Sequence, residues 1–336
     1  MCLTSLGLVA SYGASEPFFK DKTVRVIVFA TPGGGYDYYA RLLGRYMTKH
    51  LAGSPKVIVQ NMPIGQLAAN NLWRAKPDGL TWATLSREGY LGNIAGDKSL
   101  KYDFSKGIPI GSVADENSVI YVRSDTGVKT VKDLIALNKA GKKLPIMGGT
   151  TRTASSYSLG RTLQAIVPDA KFKQVLGYPG GSEVDLALRK GEIQAAGRSK
   201  ASFFSRVGDM YKSGEIGTII QTGTVRKERD PDFADNPTFW ELAKNEKQTQ
   251  LLSLMLLGQL VARPFWLPPN MKADRVKEIR SAFDKAVRDP GFVAEAKKAR
   301  RHVQPLSGVE VEELYKTAYG APPEAKAFVK QVYGGR

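Results

Sequence analysis

Short runs of β-branched residues alternate with stretches of helical periodicity along this chain. The sequence predicts strands over 24–29, 57–59 and 82–85, separated by helices over 39–47 and 66–75. Because each helix connects two strands, the order β-α-β-α-β predicts a parallel sheet with helices on its faces. This alternation is the strongest constraint that the sequence places on the fold.

The same pattern returns in the middle of the chain. Residues 28–41 and 146–163 both read as a strand, a glycine-rich turn and a helix. Later, a strand is predicted over 258–266, and amphipathic helices over 272–288 and 308–317 are expected to pack on a sheet already formed. With 336 residues, the chain is long enough for two α/β domains.

The first fifteen residues are small, apolar and uncharged, as in the apolar region of a secretory signal. Positive residues before that region are missing, so either the true start lies upstream of Met1, as we expect, or the segment is not a signal. Cys2 is the chain's single cysteine and falls inside the segment, which excludes disulfides. We therefore treat 1–15 as a partial signal peptide and predict a periplasmic protein.

The net charge of +17 first suggests a nucleic-acid-binding protein. However, the lysines and arginines are spread along the chain, and the densest group, at 297–301, lies in a predicted helix whose charged face suits solvent. No nucleic-acid-binding motif is present, so we predict no nucleic-acid partner. A diffuse positive field also attracts small anions.

Most catalytic and metal-binding patterns are missing from the sequence. His50 and His302 are the two histidines, far apart, and there is no zinc or EF-hand motif, so we predict no metal. No GxSxG elbow occurs. We therefore predict that the protein is not an enzyme.

The first glycine loop does not fit a nucleotide-binding motif. Gly35 is followed by Tyr36, where a P-loop needs lysine, and the sixth position of a dinucleotide fingerprint is Tyr38. The second strand is followed by Gln60 and not by an acidic residue. We predict no cofactor.

A glycine loop between a strand and a helix exposes backbone N–H groups at the helix N-terminus, which can hold an anion without a charged side chain. Two such loops in two α/β halves predict a cleft that closes on an anion. Asp37 leaves two readings open: a helix cap, or recognition of a ligand amine or hydroxyl.

At these residues the sequence resembles the substrate-binding proteins of tripartite tricarboxylate transporters, the Bug or TctC family. The resemblance rests on an ordered set of motifs at 32–41, 77–81, 178–192 and 229–241. One motif departs from the family, because part of a glycine loop is lost between Asn61 and Leu67. We therefore expect a substrate that differs from the family's usual dicarboxylates.

The resemblance implies a type II periplasmic-binding-protein fold, with two α/β lobes and a ligand cleft between them. We expect one lobe from 16–122 and 225–336 and the other from 123–224. It also implies a monomeric solute-binding protein that captures a small organic carboxylate and hands it to membrane transporter subunits. A ligand sensor or an uncharacterised enzyme of the same fold are the alternatives.

The family pattern also implies the ligand-binding residues. They are Thr31, Gly34, Gly35 and Asp37 in the first lobe, with Ser86 as a weaker candidate, and Gly149, Thr150, Thr151 and Tyr178 in the second. Arg152 and Arg198 are added on chemical grounds, because each follows or ends a second-lobe strand. An aromatic-acid site lined by Tyr36, Tyr38, Trp73 and Tyr90 is a further possibility, although such aromatics more often pack in a core.

Overall fold

The computed structural model describes residues 16–150, 152, 154–224 and 226–333. Its strands are β1 (Thr23–Val28), β2 (Lys56–Asn61), β3 (Thr81–Thr84), β4 (Ile108–Ser112), β5 (Ser118–Arg123), β6 (Ile146–Gly148), β7 (Lys173–Val175), β8 (Ala195–Ser199), β9 (Ile216–Gln221), β10 (Pro264–Leu267) and β11 (Leu306–Ser307). They form one sheet in the order β11-β4-β10-β3-β1-β2 and another in the order β7-β6-β8-β5-β9.

The helices cover the faces of both sheets. They are α1 (Gly35–Met47), α2 (Gly65–Trp73), α3 (Gly89–Ala95), α4 (Val131–Lys139), α5 (Ser155–Ile166), α6 (Gly181–Arg189), α7 (Lys200–Lys212), α8 (Phe239–Leu242), α9 (Glu246–Met255), α10 (Leu257–Leu260), α11 (Ala273–Ala286), α12 (Pro290–Lys298), α13 (Gly308–Tyr319) and α14 (Pro323–Tyr333). The predicted architecture of two α/β lobes is confirmed.

The two sheets draw on different parts of the chain. The first uses strands from both ends, whereas the second uses only the middle strands. In the first, β1 pairs in parallel with β2 and β3, and in the second β6 pairs in parallel with β7 and β8. Parallel pairing puts the carboxyl ends of these strands at one edge of each sheet. The residue boundaries predicted for the lobes stay predictions.

The strand predicted over 258–266 is wrong over most of its length. Leu257–Leu260 forms α10, and only Pro264–Leu267 is a strand. This mainly apolar stretch is buried except at Arg263, which is partly exposed. A buried apolar run has no polar face to show its period, so sequence alone cannot separate helix from strand there. The predicted capping box at Thr130 and Asp133 is confirmed.

The segments that connect the lobes are held together by buried hydrogen bonds. The Asn117 side-chain oxygen accepts bonds of 3.0 Å from both the Thr222 hydroxyl and the Gly223 N–H. The Ser118 hydroxyl donates to Gln259 Oε1 at 2.8 Å. These bonds hold together the two segments, near Asn117 and Thr222, at which the chain crosses between the lobes. The lobes therefore meet at this place.

The largest apolar cluster includes residues of both lobes. Leu252 of α9 and Leu163 of α5 are fully buried members of it. In addition, Gln248 Nε2 of α9 donates to the Ile166 carbonyl at the end of α5 at 2.9 Å. Helix α9 therefore packs against the second lobe as well as the first.

Candidate functional site

The loop after β1 turns the chain into α1 through glycine. Gly33 has a φ of 81°, which is strained for residues with a Cβ. Gly34 is extended and precedes the first turn of α1, which has no side-chain cap. An added Cβ at Gly34 would meet only the Thr31 carbonyl, at 3.5 Å. The α1 N-terminus therefore keeps open space and free N–H groups in front of it.

Asp37 braces this loop from within the first lobe. Its carboxylate accepts bonds from the Gly33 N–H at 2.9 Å, Asn61 Nδ2 at 2.9 Å and Arg41 Nε at 3.1 Å. Burial would raise the pKa of Asp37, but these bonds outweigh burial and lower it. Because both carboxylate oxygens are already engaged, the geometry accounts for Asp37 as a support of the loop.

Two arginines lie beside the same loop. An added Cβ on Gly35 would lie 3.5 Å from Arg301 Nη1 and 3.6 Å from Arg263 Nη2. The Arg263 guanidinium also stacks 4.7 Å from the centre of the Tyr36 ring. Its Nε is buried without a hydrogen-bond partner among the described residues. The start of α1 thus lies in a positive environment.

A cavity of about 320 Å³ lies at the second glycine loop, where β6 ends. The Gly149 N–H donates to the Val175 carbonyl at 2.9 Å, and the Thr150 carbonyl accepts from the Gly177 N–H at 3.1 Å. The lining residues are Arg87, Gly149, Thr150, Ala154, Ser155, Ser156, Gly181, Val184, Gly197, Arg198, Ser199 and Ser202. All except Arg87 belong to the second lobe, so the cavity lies where the lobes meet.

Three helices of the second lobe begin at this cavity. They are α5, α6 and α7, which are preceded by Ala154, Gly180 and Ser199. None of the three starts has a side-chain cap. Uncapped N-termini present unbonded N–H groups and the positive ends of the helix dipoles. Their convergence makes the cavity suitable for an anion.

Arg87 belongs to a buried ion-pair cluster of the first lobe. Its Nη1 donates to Glu116 Oε2 at 2.9 Å, and its Nε donates to Glu88 Oε1 at 2.6 Å. Arg263 Nη2 donates to the same oxygen of Glu116 at 2.9 Å. The cluster therefore connects the positive surroundings of the first glycine loop with the cavity.

The charge of Glu116 is strongly stabilised by this arrangement. Burial would raise the pKa of Glu116, but the positive charges of Arg87 and Arg263 outweigh burial and lower it to about 2. Glu116 consequently remains ionised at neutral pH and holds both guanidinium groups in place.

Arg198 lines the cavity from β8, but most of its side chain is engaged. Its Nε donates to the Tyr121 hydroxyl at 2.8 Å, and its Nη2 donates to the Gly181 carbonyl at 3.0 Å and to Asp185. Asp185 also accepts from Arg206 Nη1 at 2.9 Å. Arg198 thus orients the start of α6 while part of its guanidinium borders the cavity.

The structure brings only some of the predicted site residues together. Gly149, Thr150 and Arg198 line the cavity. Arg152 is exposed, and Thr151 lies outside the described residues. The other predicted residues do not line it: Thr31, Gly34, Gly35 and Asp37 form the first loop, Ser86 bonds Glu88 at 3.2 Å, and Tyr178 packs on a core cluster. Their contact with ligand stays a prediction.

Sequence reasoning missed Arg87 and the serines at the helix starts. Arg87 directly follows Ser86, which was considered because it follows a strand, and the same argument applied to Arg87. Ser155, Ser156 and Ser199 begin or precede helices that follow second-lobe strands. Serine beside a predicted helix start was the available signal, although it usually indicates only a cap.

The aromatic residues considered for the ligand site do not line the cavity. Tyr90 is fully buried and its hydroxyl donates to the Leu254 carbonyl at 2.6 Å. Trp73 packs against Tyr102 and Phe104. These side chains form core contacts, and the cavity itself has no aromatic lining.

Other candidate sites are less suitable. Grooves of about 930 and 770 Å³ lie on the outer surface of the first lobe, with no lining residue from the second. Among the described residues, no cluster of three or more histidine, cysteine, aspartate or glutamate side chains could hold a metal ion. No described helix is long and apolar enough to cross a membrane.

Comparisons with known proteins agree with this architecture. A protein of Agrobacterium vitis, described as a UPF0065 protein in the TAR-I ttuE-ttuC' intergenic region, is 32% identical over 284 residues, which cover 82% of this chain and 74% of that protein. A TctC solute binding protein from Polaromonas, solved without ligand, has a TM-score of 0.70 at 19% identity and covers 93% of this chain and 97% of its own. MatC from Rhodopseudomonas palustris with bound malate has a TM-score of 0.58 at 17% identity, covering 92% and 99%.

These structural likenesses establish the fold, and the family is established by the sequence. The family model described as the tripartite tricarboxylate transporter family receptor matches residues 39–309. That match spans both lobes and the second glycine loop, and it begins within α1, after the first glycine loop. The chain therefore belongs to the tripartite tricarboxylate transporter receptor family.

Proposed function

We propose that this protein is an extracytoplasmic solute-binding protein that captures a small carboxylate between its lobes for a membrane transporter. The cavity where three uncapped helix N-termini meet Arg87 carries the proposal. A carboxylate accepts hydrogen bonds at both oxygens, so it suits a cavity that mainly offers donors. Two structural neighbours, solved with malate and with adipate, bind carboxylates and support this ligand class.

Capture is proposed to be by lobe closure without chemical change. The cavity is bordered by both lobes, so rotation at the crossings near Asn117 would enclose a ligand. Incubation with the bound carboxylate followed by mass spectrometry should recover it unaltered. Conversion to a product would instead favour an enzyme of this fold.

Calorimetry with mono-, di- and tricarboxylates tests ligand capture directly, after a thermal-shift screen for binding by mass action. The replacement Arg87→Ala should weaken binding about ten- to hundredfold, because a hydrogen bond to a charged group contributes about 1.5–3 kcal/mol. Arg229→Ala removes an exposed arginine that pairs with Glu241 and is not part of the cavity lining, and it serves as the matched control. Equal affinity of the folded Arg87 variant and the parent would place the ligand elsewhere.

The periplasmic location, the monomeric state and the transporter partners belong to the same proposal. Fractionation of the source cell should recover the mature protein outside the cytoplasm. Light scattering on the purified protein should give the mass of one chain.

A further inference from the structure

The cavity lining is unusually polar. Its twelve residues comprise four serines, one threonine, two arginines and three glycines, with Ala154 and Val184 as the remaining two. Small-molecule sites are usually lined mainly by apolar and aromatic side chains, with few polar groups. An alkyl or aryl group would therefore find little apolar surface here.

The hydroxyl groups of the lining fall into two sets. Ser156 and Ser199 are used inside the protein. The Ser156 hydroxyl donates to the Gly197 carbonyl at 3.1 Å and accepts from the Gly197 N–H at 2.8 Å, and the Ser199 hydroxyl bonds to the Glu116 carboxylate. In contrast, the hydroxyls of Thr150, Ser155 and Ser202 make no hydrogen bond to the described residues. Three of the lining residues thus carry hydroxyl groups that have no hydrogen-bond partner within the described part of the chain.

A free hydroxyl in a closing cleft needs a partner, because burying a polar group without one costs free energy. A carboxylate can only accept hydrogen bonds, and the helix N-termini and arginines already supply it with donors. A ligand hydroxyl both donates and accepts, so it can bond to a serine or threonine hydroxyl in either direction.

We infer that the ligand is a polyhydroxylated carboxylate of the sugar-acid kind, with its carboxylate at the helix N-termini and its hydroxyl groups on Thr150, Ser155 and Ser202. The inference rests on the proposed function and specifies the substrate class of the same cavity. Ligands without hydroxyl groups leave these three side chains unpaired on closure, which lowers their affinity.

Two matched pairs of six-carbon acids separate hydroxyl recognition from carboxylate recognition. Gluconate and hexanoate carry one carboxylate each, and glucarate and adipate carry two. Calorimetry should show that at least one hydroxylated acid binds tenfold or more tightly than its unsubstituted partner. Equal or tighter binding of hexanoate and adipate would overturn the inference but leave carboxylate capture intact. No binding of any of the four acids would also overturn the inference, whereas carboxylate capture fails only if the wider screen of mono-, di- and tricarboxylates finds no ligand.

Side-chain replacements then locate the hydroxyl contacts. The double variant Ser155→Ala with Ser202→Ala should weaken binding of the preferred hydroxylated acid about tenfold or more, and binding of its unsubstituted partner much less. Ser205→Ala, on the exposed side of α7, is the matched control and should change neither. An equal loss of affinity for both acids would show that the serines do not bind the ligand hydroxyl groups and would overturn the inference.

Discussion

Helices that begin at the cleft edges differ in side-chain capping from helices that begin on the outer surface. Six helices directly follow parallel strands at the cleft edges, namely α1, α2, α3, α5, α6 and α7, and none has a side-chain cap. Away from those strand ends, α4, α8, α9, α12 and α13 are capped by Thr130, Thr238, Asn245, Asp289 and Ser307. Of the other helices, α11 begins uncapped on the outer surface, and α10 continues from α9.

A side-chain cap typically stabilises a helix by about 1 kcal/mol, so six uncapped starts together are a cost to stability. The same N–H groups are the donors that an anion needs. Helix starts on the outer surface are therefore stabilised by side-chain caps, whereas helix starts at the cleft keep unpaired N–H donors where a ligand can bind. Ion pairs show the opposite division, because the Glu116 pair is buried at the cleft, whereas the Asp209 pair is exposed on α7.

The largest expected effect is at the buried ion pair. Glu116→Ala leaves Arg87 and Arg263 without their shared carboxylate, and breaking a buried pair costs about 3–5 kcal/mol. Asp209→Ala removes the partner of Arg189 at the outer surface, where ion pairs contribute little. Urea unfolding of both variants measures the difference. Similar losses of unfolding free energy in the two variants would show that the buried pair at the cleft stabilises the protein no more than the exposed pair does.

The pH dependence of stability is a second test of the contribution of Glu116. Because the pKa of Glu116 is about 2 in the folded protein and near 4.5 ordinarily, its contribution is full above about pH 4.5 and is lost as pH falls through about 2. The stability gap between the parent and Glu116→Gln should therefore shrink from pH 5 towards pH 2. A gap that stays constant over this range would mean that Glu116 does not titrate as proposed.

Capping a cleft helix should block the site. Ala154→Asp places a carboxylate in front of α5, where it can accept from the free N–H groups and occupy the place of the ligand. We expect about a hundredfold weaker carboxylate binding by calorimetry, and no loss of stability without ligand. Thr130→Asp keeps a cap on an outer helix and should leave affinity unchanged. Unchanged affinity in Ala154→Asp would show that the α5 start is not used.

The fold could be predicted from sequence because its signals are local. The strand, glycine turn and helix at 28–41 and at 146–163 are set by periodicity and glycine, and both are found in the structure. The site depends instead on long-range contacts. Arg87 and Glu116 are 29 residues apart, and Arg263 lies a further 147 residues along the chain, so no spacing rule brings these three together.

Asp37 shows that residue type and position in the sequence do not by themselves determine the role of a side chain. From sequence, a cap and a ligand contact were both open, and only the positions of Arg41 and Asn61 show how fully its oxygens are engaged. Glycine loops predicted an anion site at strand ends, and that site stays a prediction. They could not show that the second loop lines a cavity, whereas the first loop is held by Asp37 and does not line it.

The smallest effect is expected at an outer cap. Thr130→Ala removes the hydroxyl that accepts from the Asp133 N–H at 3.2 Å, so it should destabilise the protein by about 1 kcal/mol. Ser155→Ala at the cleft removes a hydroxyl that caps nothing, and in the absence of ligand it should cost clearly less. Thermal or urea unfolding of the two variants without ligand compares them directly. If Ser155→Ala costs as much as Thr130→Ala, the cleft helix start is stabilised by its serine after all, and the division between the two regions fails at the helix where the proposed ligand binds.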